Sequence, residues 1–173
     1  MSKYDVIIIG AGIAGLYAAM NLPKSKKVLV LCKDIPWECN TFYAQGGIVT
    51  ALDEADIALH VNDTIEAGAH HNLKKIVQIL SETSLKTTAD IISKGMQFDT
   101  DAKGNLLYTK EAAHSVARIV HAGGDATGRY LHHFMMTQNH HLLEQNALVY
   151  DLLIQDGRCY GVKATINYQP TTI

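Results

Sequence analysis

The sequence predicts an α/β fold, and three local patterns support that prediction. Residues 4–9 form a short β-branched run that is apolar on both sides, which is typical of a strand buried in a parallel sheet. The glycine-rich segment 10–15 leads into an Ala- and Leu-rich stretch, residues 16–22, which predicts a helix that stops at Pro23. Residues 27–32 predict a second buried strand, so residues 4–33 form a right-handed βαβ unit.

The composition is that of an ordinary globular protein. The chain has 173 residues, of which 47% are hydrophobic and 18% are charged, which allows one domain or slightly more. This composition excludes disordered, collagen-like and disulfide-scaffold proteins. The formal net charge of -2 gives no electrostatic reason to expect nucleic acid or an anionic membrane as a partner.

Cysteine usage and one apolar stretch bear on the cellular compartment. Cys32, Cys39 and Cys159 are an odd number without a CxxC pair, which indicates a reducing compartment. Residues 6–20 are the most apolar stretch, but three glycines interrupt it. It is also shorter than the ~18 residues of a membrane-spanning helix. We therefore expect no targeting or transmembrane segment and a cytoplasmic protein.

The rest of the chain predicts loops, helices and a final hairpin. The predicted segments are a loop over 34–56, helices over 60–69 and 73–94, short strands within 96–108, a helix over 127–144, and strands over 147–155 and 160–167. Asn72 is a candidate N-cap of the 73–94 helix, Gly95 is its candidate C′ residue, and Asp156-Gly157 is a hairpin turn signal. Only two strands of the parallel sheet are recognisable. We therefore expect the incomplete front part of a longer protein, with an exposed sheet edge that favours self-association.

The glycine motif predicts a dinucleotide site. Gly10 permits a tight turn, Gly12 lets a pyrophosphate approach the backbone, and Gly15 lets helix and strand pack closely. Phosphate charge would then lie at the helix N-terminus. The alternative is a plain glycine-rich turn of an α/β protein. The acid expected about 20 residues further on is replaced by Cys32-Lys33, so Lys33 or Asp34 would contact the ribose instead.

A second motif, Asn40-Thr-Phe-Tyr-Ala-Gln-Gly-Gly47, ends in residues whose backbone N–H groups few side chains obstruct. Such a segment can approach a flat ring system or phosphates. Considered alone, it could equally be a flexible surface loop.

Three segments together carry a family resemblance. The glycine motif, the run Thr41-Phe-Tyr-Ala-Gln-Gly-Gly47 and the run His121-Ala-Gly-Gly-Asp-Ala-Thr-Gly-Arg129 resemble the L-aspartate oxidases. These enzymes are soluble relatives of the succinate dehydrogenase and fumarate reductase flavoproteins. The resemblance extends from Tyr4 to about Val162, nearly the whole chain.

The resemblance implies a truncated, glutathione-reductase-like FAD-binding domain with the start of an inserted helical or capping segment. On this reading the βαβ unit covers 4–33, the flavin loop 34–56, the helical and substrate-facing segment 57–146, and the β-hairpin 147–167. It also implies oxidation of L-aspartate to iminoaspartate, with oxygen or fumarate as electron acceptor, as a step of NAD biosynthesis that supplies quinolinate synthase. The implied cofactor contacts are Gly10, Ala11, Gly12, Ile13, Ala14, Gly15, Lys33, Asn40, Thr41, Phe42, Tyr43, Ala44, Gln45, Gly46, Gly47 and, near the adenine, Val149.

One position of the flavin loop separates the relatives. In the membrane-bound dehydrogenases a histidine just before the loop threonine carries the flavin covalently, and here that position is Asn40. Because an amide cannot form that bond, the resemblance implies noncovalent FAD.

Glu111, within the segment Thr109–His114, matches a family glutamate that handles protons near the substrate. A positioned carboxylate can manage the proton of the substrate amine. His114 and Arg118 follow as candidates for binding a dicarboxylate, Arg118 by bidentate pairing. The alternative for Glu111 is a solvated side chain beside Lys110, as most glutamates are.

Two histidine pairs invite a metal-site interpretation, which the spacing does not support. On one helix, His132-His133 and His140-His141 would be ~11 Å apart along the axis, too far for one ion. We therefore predict no metal and a solvated or half-buried helix face. Met135 and Met136 are expected to fill the core, and Cys32 is expected to be an inert thiol in a buried strand.

Two alternatives to an aspartate oxidase stay open on the sequence. One is a soluble enzyme of the fumarate reductase or succinate dehydrogenase kind, and the other is a noncatalytic flavin-binding fragment. The family's later motifs do not occur in these 173 residues, so the chain alone is expected to be inactive.

Overall fold

The structure is a computed structural model that describes residues 4–111 and 113–173. Its strands are β1 (Val6–Ile9), β2 (Val28–Leu31), β3 (Ile48–Val49), β4 (Tyr108–Thr109), β5 (Ile119–Val120), β6 (Leu142–Glu144), β7 (Ala147–Gln155), β8 (Arg158–Ile166) and β9 (Gln169–Thr172). Its helices are α1 (Ile13–Met20), α2 (Asn40–Tyr43), α3 (Asp56–Ala67), α4 (Lys74–Ser93) and α5 (Thr127–Gln138). Among the described residues, no helix has the length and apolar character that crossing a bilayer requires.

The chain divides into two compact units. The first unit consists of the chain up to Tyr43 together with Leu131–Ile173, and the second unit is Ala44–Tyr130. Of the segments that carry the family resemblance, residues 121–129 lie in the second unit, and residues 41–47 have members in both units.

The first unit contains the predicted βαβ arrangement. β1 pairs in parallel with β2, in a register that aligns Val6 with Val28, and all four residues of β2 are buried. The helix α1 begins at Ile13, earlier than predicted, and ends at Met20, three residues before Pro23. The fold class and the βαβ unit are therefore confirmed, and only the helix boundaries differ.

A third parallel strand corrects the prediction of a long helix over 127–144. The helix α5 ends at Gln138, and β6 pairs in parallel with the other edge of β2. The turn between them is held by Asn139, whose side-chain amide donates to the His141 carbonyl oxygen at 3.0 Å and whose side-chain oxygen accepts from the His141 N–H at 3.2 Å. Asparagine competes in this way with helical backbone bonding, and so it ends the helix.

The last three strands form an antiparallel sheet, one strand more than predicted. β7 pairs with β8 through the predicted Asp156-Gly157 turn, and β8 pairs with β9 through a second two-residue turn, Asn167-Tyr168. All four turn residues have positive φ, which matches the right-handed twist of the flanking strands. Buried residues of this sheet pack against β2, forming one core cluster of Leu29, Leu31, Ala147 and Val162.

The second unit combines a small antiparallel sheet, in the order β3-β5-β4, with the helices α3 and α4, which contact each other. The segment 34–56, predicted as a loop, contains α2 and β3, and α3 begins at Asp56 rather than at residue 60. Gly95 follows α4 with φ of +104°, as predicted, but the N-cap of α4 is Leu73 and not Asn72. Within 96–108, Thr100 and Leu106 form an antiparallel bridge, and Tyr108 begins β4, where it pairs with Val120.

Candidate functional site

The glycine turn of the first unit has the close packing that the motif requires. Gly10 has φ of +110°, a conformation that favours glycine. A Cβ atom on Gly15 would collide with the carbonyl oxygen of Gly10, so α1 crosses the end of β1 at backbone distance. Gly12 is the N-cap of α1, and the first turn of this helix contains no acidic residue, as suits a phosphate site.

Thr41 lies directly against this turn. The Ile13 N–H donates to Thr41 Oγ1 at 3.0 Å, and a Cβ on Gly12 would lie 3.4 Å from the same oxygen. The structure therefore brings together the glycine motif and the first half of the second motif, two segments that are 28 residues apart at this contact. Asn40, the residue before Thr41, is exposed.

His132 is a site residue that the sequence reasoning missed. Its side chain is buried, and its Nε2 lies 3.0 Å from the carbonyl oxygen of Ala11, to which the ring must donate. Phe42 packs edge-on against the ring at 5.8 Å between centroids. The expected solvated or half-buried face applies to His133, which is exposed, but is wrong for His132. The sequence did contain a signal for this burial: His132 and Met135 are three residues apart, which places both on the same, buried face of α5.

Three residues that directly follow β2 are a buried cysteine and two exposed charged side chains. Cys32 is buried, and burial raises the pKa of its thiol, as expected of an inert cysteine. Lys33 and Asp34, the candidates for contacting a ribose, are both exposed. Val149 is half-buried in β7.

In the second unit, the end of the flavin-loop motif leaves the backbone uncovered. Ala44, Gln45 and Gly46 are exposed, and a Cβ on Gly46 would meet no atom within 4 Å. Gly47 is instead confined: a Cβ there would lie 2.7 Å from the Val120 carbonyl oxygen and 2.8 Å from His121 Nε2. An open backbone next to a confined glycine fits the close approach of a flat ring system.

The Glu111 carboxylate lies within hydrogen-bond distance of a histidine in the same unit. His121 Nε2 lies 2.9 Å from Glu111 Oε1 and 3.0 Å from Thr109 Oγ1. The Glu111 side chain is 48% exposed, whereas that of His121 is 19% exposed. A carboxylate that is open to solvent on one side and anchored on the other is suited to exchanging a proton with a small substrate.

Asp99 holds the backbone around His121. The amide of Asp99 donates to the His121 carbonyl oxygen at 2.7 Å, and its carboxylate accepts the N–H groups of Gly123 and Gly124 at 2.9 Å each. These two glycines have φ of +62° and +69°. Successive backbone N–H groups of this kind form an anion-binding nest, and here an aspartate of the same chain fills it.

Arg118 lies inside the second unit, where we expected a substrate contact. Its side chain is fully buried, and it pairs with both carboxylate oxygens of Asp56, Nε with Oδ2 at 3.0 Å and Nη2 with Oδ1 at 2.7 Å. Its Nη1 donates to Asp63 and to Nδ1 of the half-buried His114, the latter at 3.2 Å. This placement corrects the expected bidentate contact with a dicarboxylate, because the guanidinium faces protein carboxylates.

This buried cluster sets one positive charge, that of Arg118, against the two carboxylates of Asp56 and Asp63. Burial alone would raise the pKa of Asp63, but hydrogen bonds from Ser115 and Arg118 outweigh it and lower the pKa to about 2. Burial and the nearby positive charge of Arg118 lower the pKa of His60, which favours the neutral form of this buried histidine. The pairing of Arg118 with these two carboxylates ties the segment 113–118 to α3, which carries both aspartates.

The described residues contain no cluster of three or more side chains suited to a metal ion. His140 and His141 lie beyond the end of α5, so the two histidine pairs do not share a helix.

Comparison with known proteins relates both parts of the site to one family. The sequence model of the FAD binding domain family matches residues 5–172. An L-aspartate oxidase of Clostridium acetobutylicum is 44% identical over 168 residues, which is 94% of this chain and 38% of that protein. An L-aspartate oxidase of Bacillus subtilis is 39% identical over 165 residues, which is 94% of this chain and 31% of that protein. This chain therefore spans less than two-fifths of the length of these relatives.

Among solved structures, an E. coli quinol fumarate reductase superposes on this chain with a TM-score of 0.87 at 23% sequence identity. The superposition covers 95% of this chain and 29% of that one. At this identity the likeness concerns the fold alone.

Proposed function

We propose, since this chain belongs to the FAD binding domain family, that it is the flavin-binding part of an enzyme that oxidises L-aspartate to iminoaspartate. FAD is the cofactor. The observation that carries the proposal is the Glu111 carboxylate bonded to His121, in a chain that is 44% identical to an L-aspartate oxidase.

The residues of the chain fit FAD in both units. In the first unit, the glycine turn and the N-terminus of α1 would hold the pyrophosphate, while Lys33 or Asp34 would contact the ribose. In the second unit, the open backbone of residues 44–47 would face the flavin ring. When bound, FAD accepts a hydride from the substrate and later passes the two electrons to oxygen or fumarate.

Glu111 would manage the proton that the reaction releases. As the Cα–H bond of aspartate breaks, its electron pair leaves as hydride, and the lone pair of the amine nitrogen forms the C=N bond. The nitrogen must then give up one proton, and the exposed carboxylate of Glu111 can accept it. His114 and Arg118 do not act on the substrate directly in this proposal, since Arg118 is fully buried and bonded to His114 and to two aspartates.

The flavin would be held without a covalent bond. Asn40 is exposed next to Thr41, at the position where the resemblance identifies the covalent histidine of membrane-bound relatives. A side-chain amide is not a nucleophile under these conditions, so contacts alone would retain the cofactor. The product, a reactive imine, would pass to quinolinate synthase.

The test is anaerobic reduction of the flavin in the full-length, FAD-loaded protein, followed by its absorbance. We expect aspartate to bleach the flavin, and succinate to leave it oxidised. Bleaching by succinate alone would indicate an enzyme of the succinate dehydrogenase kind. If neither compound reduced the flavin, the protein would be a noncatalytic flavin-binding protein.

A further inference from the structure

We propose that His121 is a positioning residue for Glu111, which fixes the rotamer of this carboxylate through Nε2–H so that one oxygen faces the substrate. The inference rests on the proposed function, because it concerns how the proton acceptor is held. Its geometric basis is the contact between His121 Nε2 and Glu111 Oε1 at 2.9 Å.

Neighbouring groups determine which ring nitrogen carries the proton. His121 Nε2 lies 2.9 Å from Glu111 Oε1 and 3.0 Å from Thr109 Oγ1. An ionised carboxylate only accepts hydrogen bonds, so its contact with the ring requires a proton on Nε2, and the Thr109 hydroxyl oxygen can accept from the same N–H.

The histidine is held more firmly than the glutamate. Its backbone is bonded by Asp99, and a Cβ on Gly47 would lie 2.8 Å from its Nε2, so the ring has little room to move. Glu111, by contrast, is about half exposed, and such a side chain samples several rotamers in water. A bond from the fixed ring to Oε1 selects one rotamer and leaves Oε2 for the substrate.

The same ring connects two parts of the second unit that have different tasks. Gly47 ends the segment that would face the flavin, and Glu111 would face the substrate. His121 contacts both, so a change on one side can alter the position of the other. The position of the Glu111 carboxylate thus depends on His121, ten positions further along the chain. Glu111 follows β4 and His121 follows β5, and these two strands pair with each other.

The first experiment measures flavin reduction by aspartate in the full-length, FAD-loaded protein, with stopped-flow mixing. His121→Phe removes the donor, and we expect the rate to fall about tenfold to hundredfold, the range for a hydrogen bond to a charged group. His121→Gln places an amide N–H near the position of Nε2, and we expect it to restore most of the rate. His133→Phe, on the exposed face of α5, is the matched control and should behave as wild type.

A double variant separates positioning from a general structural role. If His121 acts through Glu111, adding His121→Phe to Glu111→Gln should cause no further loss, whereas independent roles would multiply the two losses. The KM for aspartate should change less than kcat in His121→Phe, since the substrate contacts are not removed. Multiplied losses would overturn the proposal.

A second readout does not depend on activity. Nitrogen NMR of the protein labelled at histidine reports which ring nitrogen is protonated. We expect a proton on Nε2 of His121, and a resonance that shifts in Glu111→Gln. A proton on Nδ1 alone, with bare Nε2, would overturn the proposal even if His121→Phe failed to fold. If aspartate reduced the flavin of His121→Phe as fast as that of the wild type, this inference alone would be overturned. If aspartate did not reduce the flavin of the wild type, the proposed function would be overturned as well.

Discussion

Ser115 makes two hydrogen bonds to Asp63: its amide nitrogen donates to Oδ2 at 2.8 Å, and its hydroxyl donates to Oδ1. Asp63 lies on α3, and Ser115 lies between Glu111 and Arg118 in sequence. Because Arg118 bonds the same carboxylate, one aspartate anchors the segment that contains Ser115 and Arg118 at two points. This segment is therefore tied to α3 by charge-assisted hydrogen bonds.

Acid should weaken this anchor. The pKa of Asp63 is lowered from 3.8 to about 2 in the folded protein. A lowered folded pKa means that the stabilisation is fully present above about pH 4 and is lost as the pH falls towards 2. We expect the free energy of unfolding to fall over this window, as measured by chemical denaturation at a series of pH values.

Variants test the assignment of this pH dependence. Asp63→Asn should lower the free energy of unfolding by about 3 kcal/mol at pH 7, because it removes the charge-assisted hydrogen bonds that the buried Asp63 carboxylate accepts from Arg118 and Ser115, and it should flatten the acid dependence. Asp90→Asn is the matched control, since Asp90 pairs with Lys94 on a solvated helix surface, where such pairs contribute about 0.5 kcal/mol. An unchanged acid dependence in Asp63→Asn would contradict the assignment.

The position of Arg118 shows what local sequence patterns miss. An arginine near the candidate substrate segment suggested a dicarboxylate contact, but its partners Asp56 and Asp63 are 62 and 55 residues away. Only tertiary contact reveals that the guanidinium is buried. The strand β6 was missed for the same reason, because its three residues form a strand only by pairing with β2, more than a hundred positions earlier. The βαβ unit was predictable because its glycines and apolar runs are local signals.

Glu111→Gln tests the proton acceptor in the full-length enzyme. The amide keeps the shape of the side chain but cannot take a proton, so we expect kcat for aspartate to fall about 10²-fold or more. Flavin content should not change. The measurement is stopped-flow flavin reduction across pH, with Lys110→Gln, the exposed neighbour, as the control. Equal rates in wild type and Glu111→Gln would identify Glu111 as a solvated bystander.

Asn40 predicts that the flavin can be removed. Acid precipitation of the full-length protein should release all the yellow colour into the supernatant, because the side-chain amide forms no bond to the isoalloxazine ring. A protein with a covalent flavin, treated in parallel, should retain its colour in the pellet. Colour that stayed with this protein would disprove noncovalent binding.

Gly15→Ala should disrupt the dinucleotide turn. The added Cβ collides with the Gly10 carbonyl oxygen, a backbone atom that cannot rotate away. We expect a loss of about 3 kcal/mol of stability and a weaker affinity for FAD, as measured by thermal unfolding and by flavin titration of the apoprotein. Ala18→Ser, at an exposed position of the same helix, should change neither value appreciably. Wild-type affinity in Gly15→Ala would show that the turn can expand.

The two turns of the antiparallel sheet offer a reciprocal test. Tyr168 has φ of +66° and is 95% exposed, whereas Gly157, at the equivalent position of the other turn, has φ of +71°. Left-handed backbone costs a non-glycine residue about 1 kcal/mol, so Tyr168→Gly should stabilise the protein by about that amount. Gly157→Tyr should destabilise it similarly. Chemical denaturation measures both, and shifts of the same sign would contradict the turn geometry.

The hydrogen bond from the Gly128 N–H to the Ala44 carbonyl oxygen, at 3.0 Å, joins the two ends of the second unit. Pairing β2 with β6 closes a loop of residues 32–141. Closing a loop of that length costs conformational entropy, which slows folding. Once residues 44–128 have folded and their ends have met, only two short segments of 12 and 13 residues (32–43 and 129–141) are left to close the loop. This shortening lowers the closure cost by about 1 kcal/mol. The second unit is thus inserted in the sequence of the first, and we expect its early folding to accelerate the pairing of β2 with β6.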